Sequence, residues 1–181
     1  RQTNAVIGRY LAAARASKSI LILDIQPGRS DFVTEAKAFE RWLKEPDVSL
    51  AIDPEWRMGP DEVPAKVIGR VDAVEVNRVS AYLSSLAKTH DLPDKLLIVH
   101  QFTDGMVLRR QRLRDRARVD LVLNADGFGT ASAKTATYRR VTANRSAGYV
   151  GFKLFYEEDT DLMSPTAVLN LRPRPDIIMY E

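Results

Sequence analysis

Six short apolar runs, each ending in polar residues, set the strongest limit on what this chain can fold into. They are SILILDIQ (19–26), VSLAIDPEW (48–56), KLLIVHQF (95–102), VDLVLNADGFG (119–129), GYVGFKLFYEE (148–158) and PDIIMYE (175–181). Their density in Leu, Ile and Val is that of strands buried on both faces, as in a parallel sheet. Helix-like segments lie between them. RSDFVTEAKAFERWLKEP (29–46) opens with Ser30 or Asp31 as a cap and closes before Pro46. VDAVEVNRVSAYLSSLAKTHDLP (71–93) spaces Val74, Val76, Val79, Tyr82, Leu83 and Leu86 at near-helical intervals. The chain opens on a further helix, RQTNAVIGRYLAAARASKS (1–19), and weaker ones are read at 130–148 and 164–175. The recurrence is close to the roughly 30 residues of a βα unit. One interval is longer and carries EWRMGPDEVPAKVIGRVDA (55–73), read as a long loop.

The strand ends choose between the two parallel α/β plans. An open doubly wound sheet concentrates ligand groups at one switch point. A barrel collects them from many strands onto one face. Here polar pairs end the first five runs: Asp24 and Gln26, Asp53 and Glu55, His100 and Gln101, Asn124 and Asp126, Lys153 and Tyr156. DIQPGRS, after the first run, is neither G-x-G-x-x-G nor a Walker loop. The expected fold is therefore α/β, a (β/α)8 TIM-barrel-like single domain over residues 1–181. About six of its eight units are present, with roughly two strands and a helix expected upstream.

Composition narrows the function. The 181 residues are enough for one sizeable core, and 45% hydrophobic with 28% charged residues is ordinary for a globular chain. A net charge of +3 is not that of a dedicated nucleic-acid binder. The basic stretch RRQRLRDRARVD (109–120) is interrupted by Asp115 and Asp120 and reads as a solvated helix face. The absence of cysteine excludes disulfides, zinc-thiolate sites and thiol nucleophiles. No run reaches the roughly 18 apolar residues of a membrane helix. The start on a helix without an initiator Met reads as a chain processed or cut from something longer, and a lipid anchor upstream is compatible with it.

Asp53 and Glu55 are the sharpest pair. On a strand they share a face, with Ala51 inward below them and Leu50 and Ile52 toward the helices. Paired carboxyls are what glycoside hydrolysis needs, one protonated as general acid and its neighbour ionised. Glu55 is assigned as the acid, and Asp53 and Asp24 as candidates for nucleophile or stabiliser. An adjacent strand would bring Asp24 toward Asp53, and like charges raise at least one pKa. Trp56 and Tyr156 offer faces for sugar stacking. Gln26, His100, Gln101, Asn124, Asp126 and Lys153 are assigned to hydroxyl or anionic substituents. A structural alternative pairs Glu55 with Lys153 or Arg57. Trp42 is assigned to the core, His90 to solvent, and Glu157, Glu158, Asp159 and Asp161 to a solvated loop without EF-hand spacing.

LDIQPGRSDF, AIDPEWRMGP, VHQFT, NADGFGT and FKLFYEEDTDLMSP resemble segments of a family of uncharacterised bacterial exported proteins and lipoproteins, along nearly the whole chain. The resemblance implies a glycosidase-like TIM barrel outside the cytoplasm, extracellular or in the cell envelope. D-x-E at 53–55 is also similar to the strand motif of chitinase-like glycosidases. The longer pattern D-x-x-D-x-D-x-E is not met, since Val48 and Ala51 stand where it has aspartates. The leading expectation is a hydrolase of a polysaccharide or cell-wall glycan that needs no cofactor and no metal. Two other readings stay open. One is a non-catalytic carbohydrate- or envelope-binding barrel. The other is a phosphodiesterase barrel in which the acids hold Mg²⁺ or Ca²⁺ and His100 serves as acid/base.

Overall fold

The computed structural model describes residues 1–143 and 148–181. In chain order the strands are β1 (Leu21–Ile25), β2 (Val48–Ile52), β3 (Val71–Asp72), β4 (Lys95–Gln101), β5 (Val107–Leu108), β6 (Val119–Ala125), β7 (Tyr149–Leu154) and β8 (Ile177–Tyr180). The row β1-β2-β4-β6-β7-β8 forms one sheet, parallel at every step. Each strand lies beside its predecessor in this row, with no reversal of direction along the sheet. That progression is compatible with a partial barrel-like α/β fold and lacks the reversal of a doubly wound sheet. The sheet is curled into a half barrel. β3 and β5 pair separately and tie the loop after β2 to the loop after β4.

The helices are α1 (Asn4–Ala16), α2 (Phe32–Ala38), α3 (Glu40–Leu43), α4 (Ala73–Thr89), α5 (Ala131–Thr142) and α6 (Pro165–Leu169). Five begin on a side chain that accepts a hydrogen bond from a first-turn N–H: Thr3, Asp31, Asp72, Thr130 and Ser164. The helix read at 130–148 is realised as far as Thr142, and residues 144–147 lie outside the described residues.

The basic stretch 109–120 is not a helix. Arg109 takes a left-handed φ of 53°, a short 3-10 turn covers Arg110–Arg112, and β6 starts at Val119. The reason is visible in Arg110. Its guanidinium donates to the carbonyls of Val141 at 2.9 Å and Ala143 at 2.8 Å, closing the C-terminal end of α5. A cation there satisfies carbonyls that the helix cannot bond itself.

Alternation along the strands divides the core in two. Leu50, Ile52, Leu97, Val99, Leu121, Leu123, Val150 and Phe152 face the helix layer and join one large cluster that also takes in α1, α2, α4, α5 and α6. Ala51, Ile98 and Val122 form a smaller cluster on the concave face, flanked by half-buried Ile22, Leu96, Ile177 and Met179. Curvature shows in one contact above this layer. Asp24 on β1 and His100 on β4 lie on either side of β2 and still meet at 3.2 Å. Strands two apart in a flat sheet would stand roughly 10 Å apart, and the curl brings these side chains together over β2.

The two faces differ in energetic weight. Leu97→Ala should cost about 2–5 kcal/mol in urea denaturation, because a fully buried leucine leaves a cavity. Met179→Ala, on the half-buried concave side, should cost clearly less.

Candidate functional site

The inward positions change character along the strands. Below, they are the apolar concave cluster. Two residues further on they are polar: Asp24 above Ile22, Asp53 above Ala51, His100 above Ile98, Asn124 above Val122 and Lys153 above Gly151. The register places them at the same end of neighbouring strands, with His100 opposite Asn124. This is the C-terminal edge of a parallel sheet, where barrels build their sites.

His100 anchors the layer. It is 3% exposed, and its Nε2 lies 3.2 Å from Asp24 while its Nδ1 lies 3.2 Å from Asp126. Burial opposes charge on the ring. Hydrogen bonds to Asp126 and Asp24, and the charges of both, outweigh it and hold the pKa at about 10. The ring is therefore an imidazolium at neutral pH, donating through both nitrogens. Such a ring has no acceptor to offer. The Asn124 amide nitrogen stands 3.1 Å from Nδ1 while its Oδ1 is buried without a partner, and a flip of the amide turns that oxygen to the charged ring. On the far side, Lys153 lies 3.2 Å from Asp126 and also pairs with Glu181. Burial pulls its pKa down, but Asp126 and Glu181 together hold it above the usual lysine value.

Above these pairs opens a cavity of about 490 Å³. Asp53 and Glu55 enter it from the end of β2, with Trp56 beside them. Asp24 and Gln26 enter from β1, and Asp126, Lys153 and Glu181 from the opposite side. Phe102, Phe128 and Phe155 add ring surface, and Phe128 meets Phe155 edge to face with centroids 5.9 Å apart. A larger groove of about 740 Å³ runs between α1 and the open edge of β1. It follows an unpaired strand edge, and Arg1 on its wall is held by Glu35.

Asp53 is the most perturbed acid in this cavity. It is 7% exposed and its Oδ1 has no hydrogen-bond partner. Burial first, then the nearby Glu55 charge, push its pKa up to about 7. Asp24 and Asp126 add to the rise and His100 opposes it. Burial and then Asp126 also raise Glu55, against the Trp56 indole, Lys153 and His100. The expected closeness of Asp24 and Asp53 is met, since β1 and β2 are neighbours.

Glu55 does not sit on a strand. β2 ends at Ile52, Asp53 heads a 3-10 turn over Pro54–Trp56, and Glu55 lies within it. Pro54 has no N–H to continue the ladder, which explains the break. The long loop then folds back over the turn. Gly69 N–H donates to the Glu55 carbonyl at 2.7 Å. A Cβ at Gly69 would stand 2.6 Å from that oxygen and from the Arg57 carbonyl. The cations proposed as structural partners of Glu55 are engaged elsewhere, Arg57 with Glu75 at 3.2 Å and Lys153 as described.

Other assignments need correction. Gln101 follows His100 and points to the opposite face, donating to the Thr103 carbonyl at 3.0 Å. Tyr156 is exposed and stacks on Tyr180 at 5.4 Å, while the preceding Phe155 lines the cavity. Asp159 is not solvated: it meets Lys134 at 3.0 Å, both side chains 0% exposed. Lys134 also donates to the Gly127 and Lys153 carbonyls at 2.8 Å each, and Asp159 accepts from the N–H groups of Gly129 and Phe155. This pair joins two loops that wall the cavity. Lys134, Asp159, Phe102, Phe128, Phe155 and Glu181 were not found by sequence reasoning. Lys134 does share a helical stripe with Tyr138 and Val141, and Glu181 continues the alternation of Ile177 and Met179.

Among the described residues, no three histidines or carboxylates are grouped to hold a metal ion, and no helix is long and apolar enough to cross a membrane. No family model, curated protein or solved structure matches the chain.

The raised His100 pKa has a stability consequence. Its contribution is complete below the unfolded value near 6.5 and is lost as pH rises through about 10. His100→Asn should cost about 1–3 kcal/mol at neutral pH, by removing the cation that half-exposed Asp24 and part-buried Asp126 share. Thermal melts from pH 6 to 10 should fall for the wild type and lie flatter for the variant.

Proposed function

We propose that this chain forms the greater part of a (β/α)8 barrel that hydrolyses a glycosidic bond by carboxylate acid/base catalysis. The observation that carries the reading is Asp53. A carboxyl with a pKa of about 7, beside a second carboxyl in an aromatic-lined cavity, has a proton to give at neutral pH. Asp53 takes the role of general acid to the leaving oxygen. Glu55, less deeply buried, is the ionised partner that acts as nucleophile or activates water. This reverses the assignment made from the motif alone, where Glu55 is the acid. Trp56, Phe128 and Phe155 supply faces for the apolar side of sugar rings. The progression of strands and the open edge of β1 support barrel completion by further βα units. The resemblance to exported proteins supports action outside the cytoplasm, on a cell-wall or other polysaccharide.

The ion pairs across the mouth favour a second reading, a barrel that binds a glycan without cutting it. The phosphodiesterase reading is less well supported, because His100 has carboxylates on both nitrogens and none to offer a phosphate.

Sugar release from a panel of polysaccharides tests both. Asp53→Asn should lower kcat/KM by roughly 10²–10⁴, the usual contribution of a positioned acid. Glu55→Gln should abolish turnover with the fold intact. The wild-type kcat/KM should fall above pH 7 as Asp53 loses its proton. Glycan binding by all three proteins with release by none would leave the binding reading.

A further inference from the structure

The charge around the cavity points to what kind of sugar it would take. Five carboxylates line it, those of Asp24, Asp53, Glu55, Asp126 and Glu181, against one amine, Lys153, among the described residues. That amine is already held by Asp126 and Glu181. The buried His100 charge below is likewise shared between Asp24 and Asp126. The mouth therefore keeps an excess of negative charge even with Asp53 protonated. An anionic substituent, a uronate or a phosphate, would enter against that field.

Two further observations point to a ligand. Asp53 Oδ1 is buried without a partner at the cavity wall, so a hydrogen-bonding group from outside is what it lacks. The ring faces also accept cations: Lys153 Nζ stands 4.9 Å from the centroid of Phe155, which lines the same space. Acid groups at the rim and π faces on the walls are the two environments that an ammonium on a sugar ring requires.

We infer that the cavity selects glycans carrying free amino groups, hexosamine residues without their acetyl group, over N-acetylated and acidic glycans. The inference rests on the hydrolase reading for its choice of sugars but not for its charge selectivity. Exposed Glu181 and half-exposed Asp24 meet the ammonium. The ring faces take the apolar side of the sugar. The charge carried by Lys153 is counterbalanced, which leaves it to hold Asp126 and Glu181 in place and not to recruit an anion.

The test is binding of three oligosaccharide sets of equal length by titration calorimetry: glucosamine oligomers, their N-acetylated forms and oligogalacturonates. The glucosamine oligomers should bind at least about tenfold more tightly than either other set, and the preference should shrink as salt is raised. Glu181→Gln should reduce it several-fold, by removing a carboxylate and releasing Lys153. The side chain is exposed, so the variant should keep the wild-type melting profile. Equal or tighter binding of the acetylated or acidic oligomers overturns the inference, as does an amine preference that Glu181→Gln leaves unchanged. Absence of binding by all three sets overturns it too. Sugar release is followed in parallel and separates the two claims. Amine-selective binding without release refutes the hydrolase and keeps the selectivity. Release from acetylated or acidic glycans without amine preference does the reverse.

Discussion

The structure depends on one buried cation. Asp24, Asp53 and Asp126 all come to the concave end of the sheet, and like charges so placed would drive the strand ends apart. The His100 imidazolium sits between two of them. It reaches from β4 past β2 to β1, and from β4 to the residue after β6, so one ring fixes the relative placement of four strands. A neutral histidine could donate to only one carboxylate. The charge on the ring is what makes the double contact, and the curl of the half barrel that brings its partners together, compatible with burial.

That arrangement divides the acids into two sorts. Asp126 meets His100 and Lys153, and Glu181 meets Lys153, so each has a cation beside it. Asp53 has no cation in contact and an oxygen without a partner. Its answer to burial is to keep its proton, at a stability cost that builds as pH rises from about 4 and is complete above about 7. Different environments pushing neighbouring carboxyls toward different protonation states is how one site assembles an acid and an ionised partner.

Period-2 alternation explains what was legible in the sequence. Once a run is known to be a strand, residues two apart share a face, and Asp24, Asp53, His100, Asn124, Asp126 and Lys153 fall together on the concave side. The same rule, applied without break, misplaces residues where the strand has ended. Glu55 reaches the cavity through a 3-10 turn that Pro54 imposes, and Tyr156 lies beyond the end of β7. Gln101 fails for the opposite reason: it is still on the strand, one residue out of phase with His100. Lys134, Asp159 and Arg110 were hidden more deeply. Each looks solvated by residue type, and each is decided by a partner distant in sequence. Long-range pairing of a charge is not written in local pattern, because the same lysine is surface or core according to whether an aspartate meets it.

Small residues complete the account of why an acidic site can form here. Gly69 lets the long loop lie against the backbone of the Glu55 turn, and Gly151 leaves room for the Asn124 side chain that braces His100. A side chain at either position would press on the polar layer itself. With space made by glycine, charge set by histidine and the loops tied by the Lys134–Asp159 pair, the walls of the cavity are fixed by interactions outside it. Asp53 is then held by position and not by a partner of its own. A group fixed in that way retains hydrogen-bonding capacity for something that enters, and a buried oxygen without a partner is stabilised more by an incoming donor than any exposed carboxylate would be.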